Sequence, residues 1–303
     1  QIFIIYSWVS ILNTLIVTKI KSKNTLIIIC ADYPVRKKTA EASLLSTQIK
    51  IFEKIYDQIY ILPTAKIKGK TILAGKSNNI IKNYRVLRPN FFINYLLKIK
   101  LFINDLMNIN NLNFTFKSLM RSFIVYGKSI FLYTFLIRLY NKEKLYKTNL
   151  TIYSFWFDDY SLGFCLLNKK YKNLSLISGA HGKDLFEERH VGNRIPFREK
   201  CLTLINKVFV CSHEGENYLT NKYPDYKEKV KLLSTGTYVK SIKTKHSIDG
   251  KFRILTLSRT HPIKRLKYLF NKLKEIEEYS DFDIEYFHIG GGRELDELKY
   301  YSE

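Results

Sequence analysis

The sequence predicts an α/β protein with two doubly wound parallel sheets, of which the second is incomplete. Short apolar runs alternate with longer stretches whose apolar residues recur at helical spacing. Continuous apolar strands separated by helices indicate parallel strands whose sheet is covered on both faces. A polar, lysine-rich stretch over residues 239–251 interrupts this alternation, which then resumes. We therefore expect a linker between a domain over residues 24–240 and a second over residues 251–303.

The first domain is predicted to open with a buried strand and a helix. The strand is TLIIICADYP (25–34), and a helix follows because apolar residues then recur every three to four positions. The helical positions are Leu44, Leu45, Ile49, Phe52 and Ile55. The further strands are QIYILP (58–63), LTIYSFWF (150–157), LSLISG (174–179), KVFVCS (207–212) and KLLSTGT (231–237).

The second domain is predicted to begin with the strand FRILTLS (252–258) and to continue to the strand IEYFHIGGG (284–292). The helix between them has one apolar face, formed by Ile263, Leu266, Leu269, Phe270, Leu273 and Ile276. A complete doubly wound domain of ordinary size takes roughly 100 residues or more. The 53 residues from 251 to 303 are fewer, so we expect the chain to be truncated in this domain.

The N-terminal segment, residues 1–23, has two interpretations. Its first 18 residues carry no charge and are followed by KIKSK. That length is at the lower edge of what spans a bilayer, and the lysines behind it would hold the rest of the chain on the cytoplasmic side. The same richness in Ile and Val is typical of a buried strand and helix, which leaves an anchor and an additional fold element as alternatives.

The net charge of +23 favours an anionic partner. Nucleic acid, an anionic bilayer and phosphorylated small molecules are the candidates, although a coding bias toward Lys, Ile, Asn and Tyr would give part of this charge without a function. The chain carries no recognised nucleic-acid motif, and its cations are spread along the sequence, so we do not expect nucleic acid as a partner.

The middle section, residues 85–147, holds eleven basic and two acidic residues interleaved with aromatic ones. Cationic helices with aromatic and aliphatic residues suit a bilayer interface that carries anionic lipid. In the alternative interpretation, the aromatic residues belong to the core and the lysines form a solvated face.

Cysteine and histidine spacing gives no metal or disulfide pattern. The four cysteines lack a C-x-x-C pair and lie mostly in apolar runs, which is typical of reduced, buried thiols in a cytosolic protein. The six histidines lack metal-ligand spacing, so no metal is expected.

The stretch LSRTHPIKR (257–265) places cations at the end of a predicted strand. In an open α/β sheet, ligands bind beyond the carboxyl ends of the strands, where helix N-termini present free N–H groups. Arg259 and Lys264 together suit a diphosphate, because Arg can bind it bidentately and Lys adds a mobile charge. Two solvated surface cations are the alternative.

Three glycines, Gly290, Gly291 and Gly292, end the following predicted strand. Glycine allows the backbone to approach a ligand closely, although a plain strand-to-helix turn would use the same residues. The cluster is neither G-x-G-x-x-G nor G-x-x-x-x-G-K-[ST], which argues against dinucleotide oxidoreductases and P-loop enzymes.

Several of these segments resemble one enzyme family. LTLSRTHPIKRLKYLF and FHIGGGRELDELK resemble the donor-domain opening of the family four retaining glycosyltransferases of GT-B fold. SGAHGKDLFEERH, with GNRIPFR, resembles the His-Gly-x-Asp segment of bacterial members that build surface polysaccharides, and VFVCSHEGENYLTNKYP resembles the strand and helix that follow it there. The resemblance covers residues 24–303 in order and implies two Rossmann-like domains that face a cleft.

The resemblance also implies roles for individual residues. Arg259, Lys264 and Gly290 to Gly292 would bind the donor diphosphate, His181 and Asp184 would be catalytic, and Ser212 and Glu214 would lie on the acceptor side. Turn-histidine and helix-capping roles are the alternatives for His181 and Asp184.

The implied reaction moves a hexose-type sugar from a nucleotide-diphosphate-sugar to a saccharide or lipid-linked saccharide. The anomeric configuration is retained and no metal or other cofactor takes part. The resemblance places the enzyme in surface polysaccharide biosynthesis, peripherally on the inner, cytoplasmic face of the cell membrane.

Two departures from the family pattern accompany these matches. Related enzymes often carry Arg two residues before the histidine, where this chain has Gly179, and their donor-site pair of Glu residues eight positions apart would lie beyond residue 303. We therefore expect a full-length product to be active and these 303 residues to be inactive alone. The alternative function is a non-catalytic, truncated or degenerate transferase that docks on a membrane or a partner synthase.

Overall fold

The computed structural model describes residues 22–34, 39–64, 81–83, 99–107, 115–171, 174–234, 248–279, 281 and 283–302. They belong to two compact units, Gln1–Tyr238 (unit 1) and Val239–Glu303 (unit 2). The apolar segment 1–23, except its last two residues, and most of the predicted linker lie outside the described residues. The predicted domain boundaries stay a prediction.

Unit 1 contains a seven-stranded sheet in which every pairing is parallel. The strand order is β3-β2-β1-β4-β5-β6-β7. Successive strands are added toward one edge from β1 to β3 and toward the other edge from β4 to β7, so the strand order reverses between β1 and β4. The strands are β1 Asn24–Cys30, β2 Gln58–Pro63, β3 Ile81–Asn83, β4 Asn149–Ser154, β5 Ser175–Ala180, β6 Lys207–Val210 and β7 Val230–Leu232.

Alternate residues of the central strand enter two separate cores. Ile27 and Ile29 pack into the larger core on one face of the sheet, while Leu26 and Ile28 pack into a second core on the other face. This division follows from the two-residue period of a strand and explains why β1 is apolar throughout. The predicted parallel, doubly wound sheet is thereby confirmed for unit 1.

Two of the helices of unit 1 begin at threonine caps. The Thr39 hydroxyl accepts a hydrogen bond from Ala42 N and so starts the first helix, and Thr115 and Ser118 form a capping box at the start of the longest one. The helices are α1 Ala40–Phe52, α2 Ile99–Met107, α3 Phe116–Lys142, α4 Ser161–Cys165, α5 Gly182–Leu185, α6 Arg198–Leu204 and α7 His213–Lys222.

The sequence patterns located six of the seven strands of unit 1 and missed β3, which holds a single apolar residue in three positions. Helix α1 ends at Phe52, so Ile55 lies in the turn that follows rather than on the helix. All four cysteines are free, and three of them, Cys30, Cys165 and Cys201, are buried as expected.

Unit 2 contains two parallel strands, β8 Phe252–Leu257 and β9 Ile284–Ile289, and two helices, α8 Leu266–Tyr279 and α9 Leu295–Ser302. Leu266 and Leu273 of α8 are buried as the apolar pattern predicted. The prediction for Ile263 is wrong: it lies in the 3₁₀ turn Pro262–Lys264 before the helix and is exposed. Arg265 adopts φ 52° there, which ends that turn and redirects the chain into α8.

Candidate functional site

The carboxyl edge of the sheet between β1 and β4 is the place where this topology offers a ligand-binding crevice. At such a reversal, the helices that follow the two neighbouring strands lie on opposite faces of the sheet. The loops that follow β1 and β4 therefore diverge and leave a space between them. Those loops are residues 31–34 and 155–160, and β5 ends beside β4. The predicted residues His181 and Asp184 follow β5, so they belong to this edge.

Glu41, a buried residue of α1, holds the loops after β1 and β4 together. Its carboxylate accepts hydrogen bonds from Ala31 N at 2.9 Å, Asp32 N at 2.6 Å and Tyr33 N at 3.0 Å. It also accepts a short hydrogen bond from Trp156 Nε1. Sequence reasoning missed Glu41, because an acid in the first turn of a helix usually only complements the helix dipole.

His181 lies between two aromatic side chains of the loop after β4. Its ring stacks on Phe155, with centroids 5.0 Å apart and planes at 25°, and meets Trp156 edge-on at 4.8 Å. Burial among these rings lowers the pKa of His181, which favours the neutral imidazole at physiological pH. Its Nε2 is buried and has no hydrogen-bond partner among the described residues, an unsatisfied polar atom that a ligand group or an ordered water would complete.

Asp184 positions the backbone of this edge. Its Oδ1 accepts a hydrogen bond from His181 N at 2.8 Å and its Oδ2 accepts one from Phe157 N at 2.5 Å. The side chain is only 4% exposed, and burial raises its pKa. Asp184 occupies the third position of α5, where it joins the ends of β4 and β5 and fixes the orientation of the histidine.

Two further acids, Asp158 and Asp159, follow β4 and were not singled out from the sequence. Burial raises the pKa of Asp158 to about 7, and the neighbouring charges of Asp159 and Asp184 add to this effect. Asp159 is different, because Lys128 at 2.6 Å and the Arg121 guanidinium outweigh its burial and lower its pKa. The paired acids directly after an apolar strand were the available sequence signal.

Gly179 explains why this chain has no arginine two residues before the histidine. A Cβ at Gly179 would lie 2.8 Å from the backbone oxygen of Phe155, closer than side chains tolerate. Any larger residue would require the loop after β4 to move. The absence of the arginine is therefore consistent with the close approach of these two strand ends.

Ser212 and Glu214 lie at the carboxyl end of β6, on the same edge of the sheet. The Ser212 hydroxyl accepts a hydrogen bond from Gly215 N at 3.1 Å and caps α7. Glu214 is exposed in the first turn of that helix. The capping contact gives Ser212 a structural role, and the predicted acceptor role of both residues stays a prediction.

In unit 2, Arg259 and Lys264 flank the turn that follows β8. Both side chains are exposed, and neither has an ion pair within the part of the chain that the structure describes. Elsewhere in unit 2, Lys251, Arg253 and Lys267 are paired with carboxylates. The two predicted phosphate ligands thus carry charge that is available to an anion.

The three glycines after β9 pack against the same turn. A Cβ at Gly290, where φ is 146°, would collide with the Ser258 backbone oxygen, and Gly292 similarly crowds Thr260. Thr260 N donates a hydrogen bond to Gly291 O at 3.2 Å, which ties the two loops together. A Cβ at Gly291 would make only an ordinary contact with Leu295, so there is space beside this residue for another group.

The basic, aromatic middle section divides between core and surface. Val125, Tyr126 and Tyr133 of α3 are buried, whereas Phe116 and Met120 near its start are exposed. α3 is long and apolar enough to cross a membrane by length and composition, and half of its most apolar window is buried in the protein, as in a core helix. Arg85, Arg88, Lys98, and the aromatic residues around them lie outside the described residues.

Among the described residues, no three His, Cys, Asp or Glu side chains form a group that could hold a metal ion.

Comparison by sequence identifies no relative. No protein-family model matches the chain, and no curated protein sequence matches it.

Solved structures, in contrast, share its fold. WaaB, a lipopolysaccharide outer core galactosyltransferase in its apo form, superimposes with a TM-score of 0.56 at 13% identity, over 92% of this chain and 64% of WaaB. TarM gives a TM-score of 0.53 at 13% identity, over 91% of this chain and 73% of TarM. A variant of TarM from S. aureus, in complex with fondaparinux, alpha-GlcNAc-glycerol and UDP, gives 0.52 at 12% identity, over 92% and 74% of the two chains.

These similarities confirm the predicted fold class, the α/β GT-B fold of nucleotide-sugar transferases. The chain spans 64% of the length of WaaB and about three quarters of TarM. The identities are too low to carry more than the fold.

Proposed function

We propose that this protein transfers a sugar from a nucleotide-diphosphate-sugar to a saccharide or lipid-linked saccharide, with retention at the anomeric carbon. The observation that carries the proposal is His181, which is held between Phe155 and Trp156 with an unpartnered Nε2 at the carboxyl edge of a GT-B sheet. UDP in a TarM complex is consistent with a nucleotide-sugar donor.

Arg259 and Lys264 are assigned to the donor diphosphate. Negative charge grows on the leaving nucleotide as the glycosidic bond breaks, and fixed cations stabilise it most when no carboxylate neutralises them. The exposed, unpaired state of both side chains among the described residues supports this role. Gly290 to Gly292 would form the loop under the nucleotide, with Gly291 as the position open to a ligand.

His181 is assigned to the transferred sugar. Because burial lowers the pKa of His181 and so favours its neutral imidazole, Nε2 can share a hydrogen bond with a sugar hydroxyl or a phosphate oxygen. Asp184 would act by fixing the histidine backbone, as a positioning residue. We further propose that a phosphate oxygen of the donor deprotonates the incoming hydroxyl and that neither a metal nor another cofactor is needed.

Ser212 and Glu214 are assigned to the acceptor side, because they share the carboxyl edge of the sheet with His181. For a lipid-linked acceptor we propose peripheral binding to the anionic inner face of the cell membrane. Exposed Phe116 and Met120, beside exposed Lys117, support this assignment since apolar and cationic groups together suit such an interface.

Nucleotide binding tests the donor site. Lys264→Ala should weaken the binding of UDP by about tenfold or more, the scale of a lost hydrogen bond to a charged group, when measured by calorimetry at fixed salt. Lys274→Ala, which removes another exposed lysine of unit 2, is the matched control and should bind as the parent does. Equal affinities for the two variants would remove Lys264 from the site.

Transfer of radiolabelled sugar from nucleotide donors, measured with a full-length product because these 303 residues are expected to be inactive alone, separates an enzyme from a binding module. Turnover that falls at least a hundredfold in His181→Ala would support a catalytic role for this edge. Nucleotide affinity without turnover would favour the alternative, a non-catalytic transferase relative that docks on a membrane or a partner protein. That alternative gains support from the exposed apolar residues Leu257 and Ile289 on the sheet of unit 2.

A further inference from the structure

A pocket with a volume of about 530 Å³ lies in unit 1, and none of the residues assigned above lines it. It is lined by α2, by the segment from Gly192 to Lys200 and by the end of α7. Its volume lies within the range of small-molecule sites, which runs from about 300 to 1,000 Å³. The segment GNRIPFR supplies most of one wall.

Arg198 lines this pocket and is a buried cation with unused hydrogen-bonding capacity. Only 3% of the residue is exposed, and its guanidinium carbon lies 3.9 Å from the ring centroid of Phe157. Nη2 donates a hydrogen bond to the Asp184 backbone oxygen, whereas Nε is buried and has no partner among the described residues. A guanidinium has five N–H donors, so burying one with a single hydrogen bond is costly unless an anion or ordered water completes it.

The buried acids of the pocket do not neutralise Arg198. Asp105 is bound by Arg194 at 2.8 Å and accepts a hydrogen bond from Phe197 N at 2.9 Å. Glu187 is bound by Lys222 at 3.0 Å and by the Tyr223 hydroxyl.

The remaining acid of the lining, Glu199, is exposed. No carboxylate lies within 4.0 Å of the Arg198 guanidinium among the described residues. Arg198 therefore has no ion-pair partner in the lining, and outside the lining its charge offsets part of the rise in the pKa of the buried Asp184 carboxylate.

Lys200 adds a second cation to the lining. Its pKa is lowered, first by burial and then by the like charge of Lys169. Two neighbouring lysines without a carboxylate repel each other, and a bound anion would relieve that repulsion. Arg198 and Lys200 together therefore favour an anionic group.

The segment that forms this wall holds one residue in an unusual backbone conformation. Phe197 has φ 62°, whereas Gly192 at 72° and Asn193 at 50° are residue types that adopt the left-handed region readily. A bulky side chain in the left-handed region is strained, and such strain persists where the surrounding contacts fix a functional geometry. Here Asp105 holds the backbone of this segment in place through its contacts with Phe197 N and the Arg194 guanidinium.

We propose that this pocket binds a monosaccharide-sized ligand that carries a phosphate or a carboxylate group, with the anionic group against Arg198 and Lys200. Asn104, Asn193 and Thr203 also line the pocket and offer amide and hydroxyl partners for sugar hydroxyls. This inference stands on unit 1 alone and is independent of the donor site proposed for Arg259 and Lys264.

Calorimetric titration of the 303-residue chain tests it with glucose 6-phosphate, glucuronate and neutral glucose as probes. Glucose 6-phosphate or glucuronate should bind at least tenfold more tightly than glucose, and the tighter of the two identifies the anionic group. Lys200→Gln should weaken that binding about tenfold, whereas Lys227→Gln, an exposed lysine outside the pocket, should leave it unchanged. The test uses Lys200 because Arg198 also supports the backbone of Asp184.

Hydrogen exchange locates the site. The acidic sugar should slow exchange in peptides that cover residues 192–204 of the parent protein. Its affinity should be unchanged in Lys264→Ala, even if that variant loses UDP, which separates this pocket from the donor site. Equal affinity of Lys200→Gln and Lys227→Gln, equal affinity for glucose, absence of protection over 192–204, or loss of binding in Lys264→Ala would each overturn the proposal.

Discussion

Unit 1 and unit 2 both contain a parallel strand-helix-strand pattern among their described residues, but they differ in how their sheets are covered. In unit 1, Ile28 and Leu176 on central strands are fully buried. In unit 2, Leu257 of β8 is 77% exposed and Ile289 of β9 is 56% exposed. On the other face, the ring of Phe270 from α8 meets the Tyr286 ring edge-on at 4.7 Å, and the Tyr286 hydroxyl shares a hydrogen bond with Thr256.

The two units also differ in how the residues of their candidate sites are held in place. At the edge of unit 1, Glu41 binds Trp156 and Asp184 binds Phe157, so contacts between distant segments fix the position of His181. In unit 2, two adjacent loops fix each other through Ser258 and Gly290. The loop that would hold a diphosphate can thus keep its shape although one face of its sheet is exposed.

The largest expected contrast is in hydrogen exchange. We expect amides of β1 and β4 to exchange about a thousandfold more slowly than those of β8 and β9, after correction for intrinsic rates, because strands buried on both faces open only with global unfolding. Exchange monitored by mass spectrometry measures this directly. Equal protection at low protein concentration would show that the exposed face of unit 2 is covered in solution.

A single methyl group should disrupt the loop pairing of unit 2. Gly290→Ala places a Cβ against the Ser258 backbone oxygen at φ 146°, and we expect a loss of about 2–4 kcal/mol in the stability of that unit. Gly291→Ala, which meets only ordinary contacts, is the matched control. Exchange of the β8 and β9 amides reports both variants, and an unchanged rate in Gly290→Ala would contradict the packing.

Loss of the Glu41 charge should loosen the edge of unit 1. Glu41→Gln sets an amide donor against backbone N–H groups and weakens charge-assisted hydrogen bonds, so we expect a loss of about 1.5–3 kcal/mol in unfolding free energy. Exposed Glu228→Gln serves as the control. Denaturant unfolding followed by tryptophan fluorescence measures the change and also reports Trp156. A shift of similar size in both variants would remove the special role of Glu41.

The smallest expected effect is a pH dependence at Asp158. Its folded pKa of about 7 lies above the unfolded value, so the folded state holds the proton between about pH 4 and 7 and loses stability as pH rises through that window. Asp158→Asn keeps an oxygen for the Tyr160 N hydrogen bond and should be more stable than the parent by about 1–2 kcal/mol above pH 7. The gap should close toward pH 4.

Thermal unfolding from pH 4 to 8 would show this convergence. Exposed Asp225→Asn should show no such trend. A constant difference between Asp158→Asn and the parent across this range would rule out titration of Asp158 as its origin.

The strands and the order of motifs could be predicted from sequence because burial on both faces leaves uninterrupted apolar runs, as in β1 and β5. Strand ends were less predictable. β4 stops at Ser154, so Phe155 and Trp156 leave the sheet and become the walls around His181. Apolar character alone could not distinguish a strand residue from a buried loop residue.

Contacts between distant segments were not predictable from one sequence. Glu41 looks like an ordinary acid at a helix start, and its partners lie as far away as Trp156. The lack of an ion-pair partner for Arg198 likewise depends on which acids are already bound to other cations. The predicted residues His181 and Asp184 do lie together, while their catalytic roles stay a prediction.

The narrow space at Gly179 limits how this protein could change. An arginine at this position, as the resemblance leads one to expect, would not fit without a backbone shift, because its Cβ would lie 2.8 Å from the Phe155 carbonyl oxygen. The loop after β4 would have to be rebuilt in the same step. Engineering that seeks an additional cation here should therefore start from the loop that carries Trp156 and only then alter the glycine.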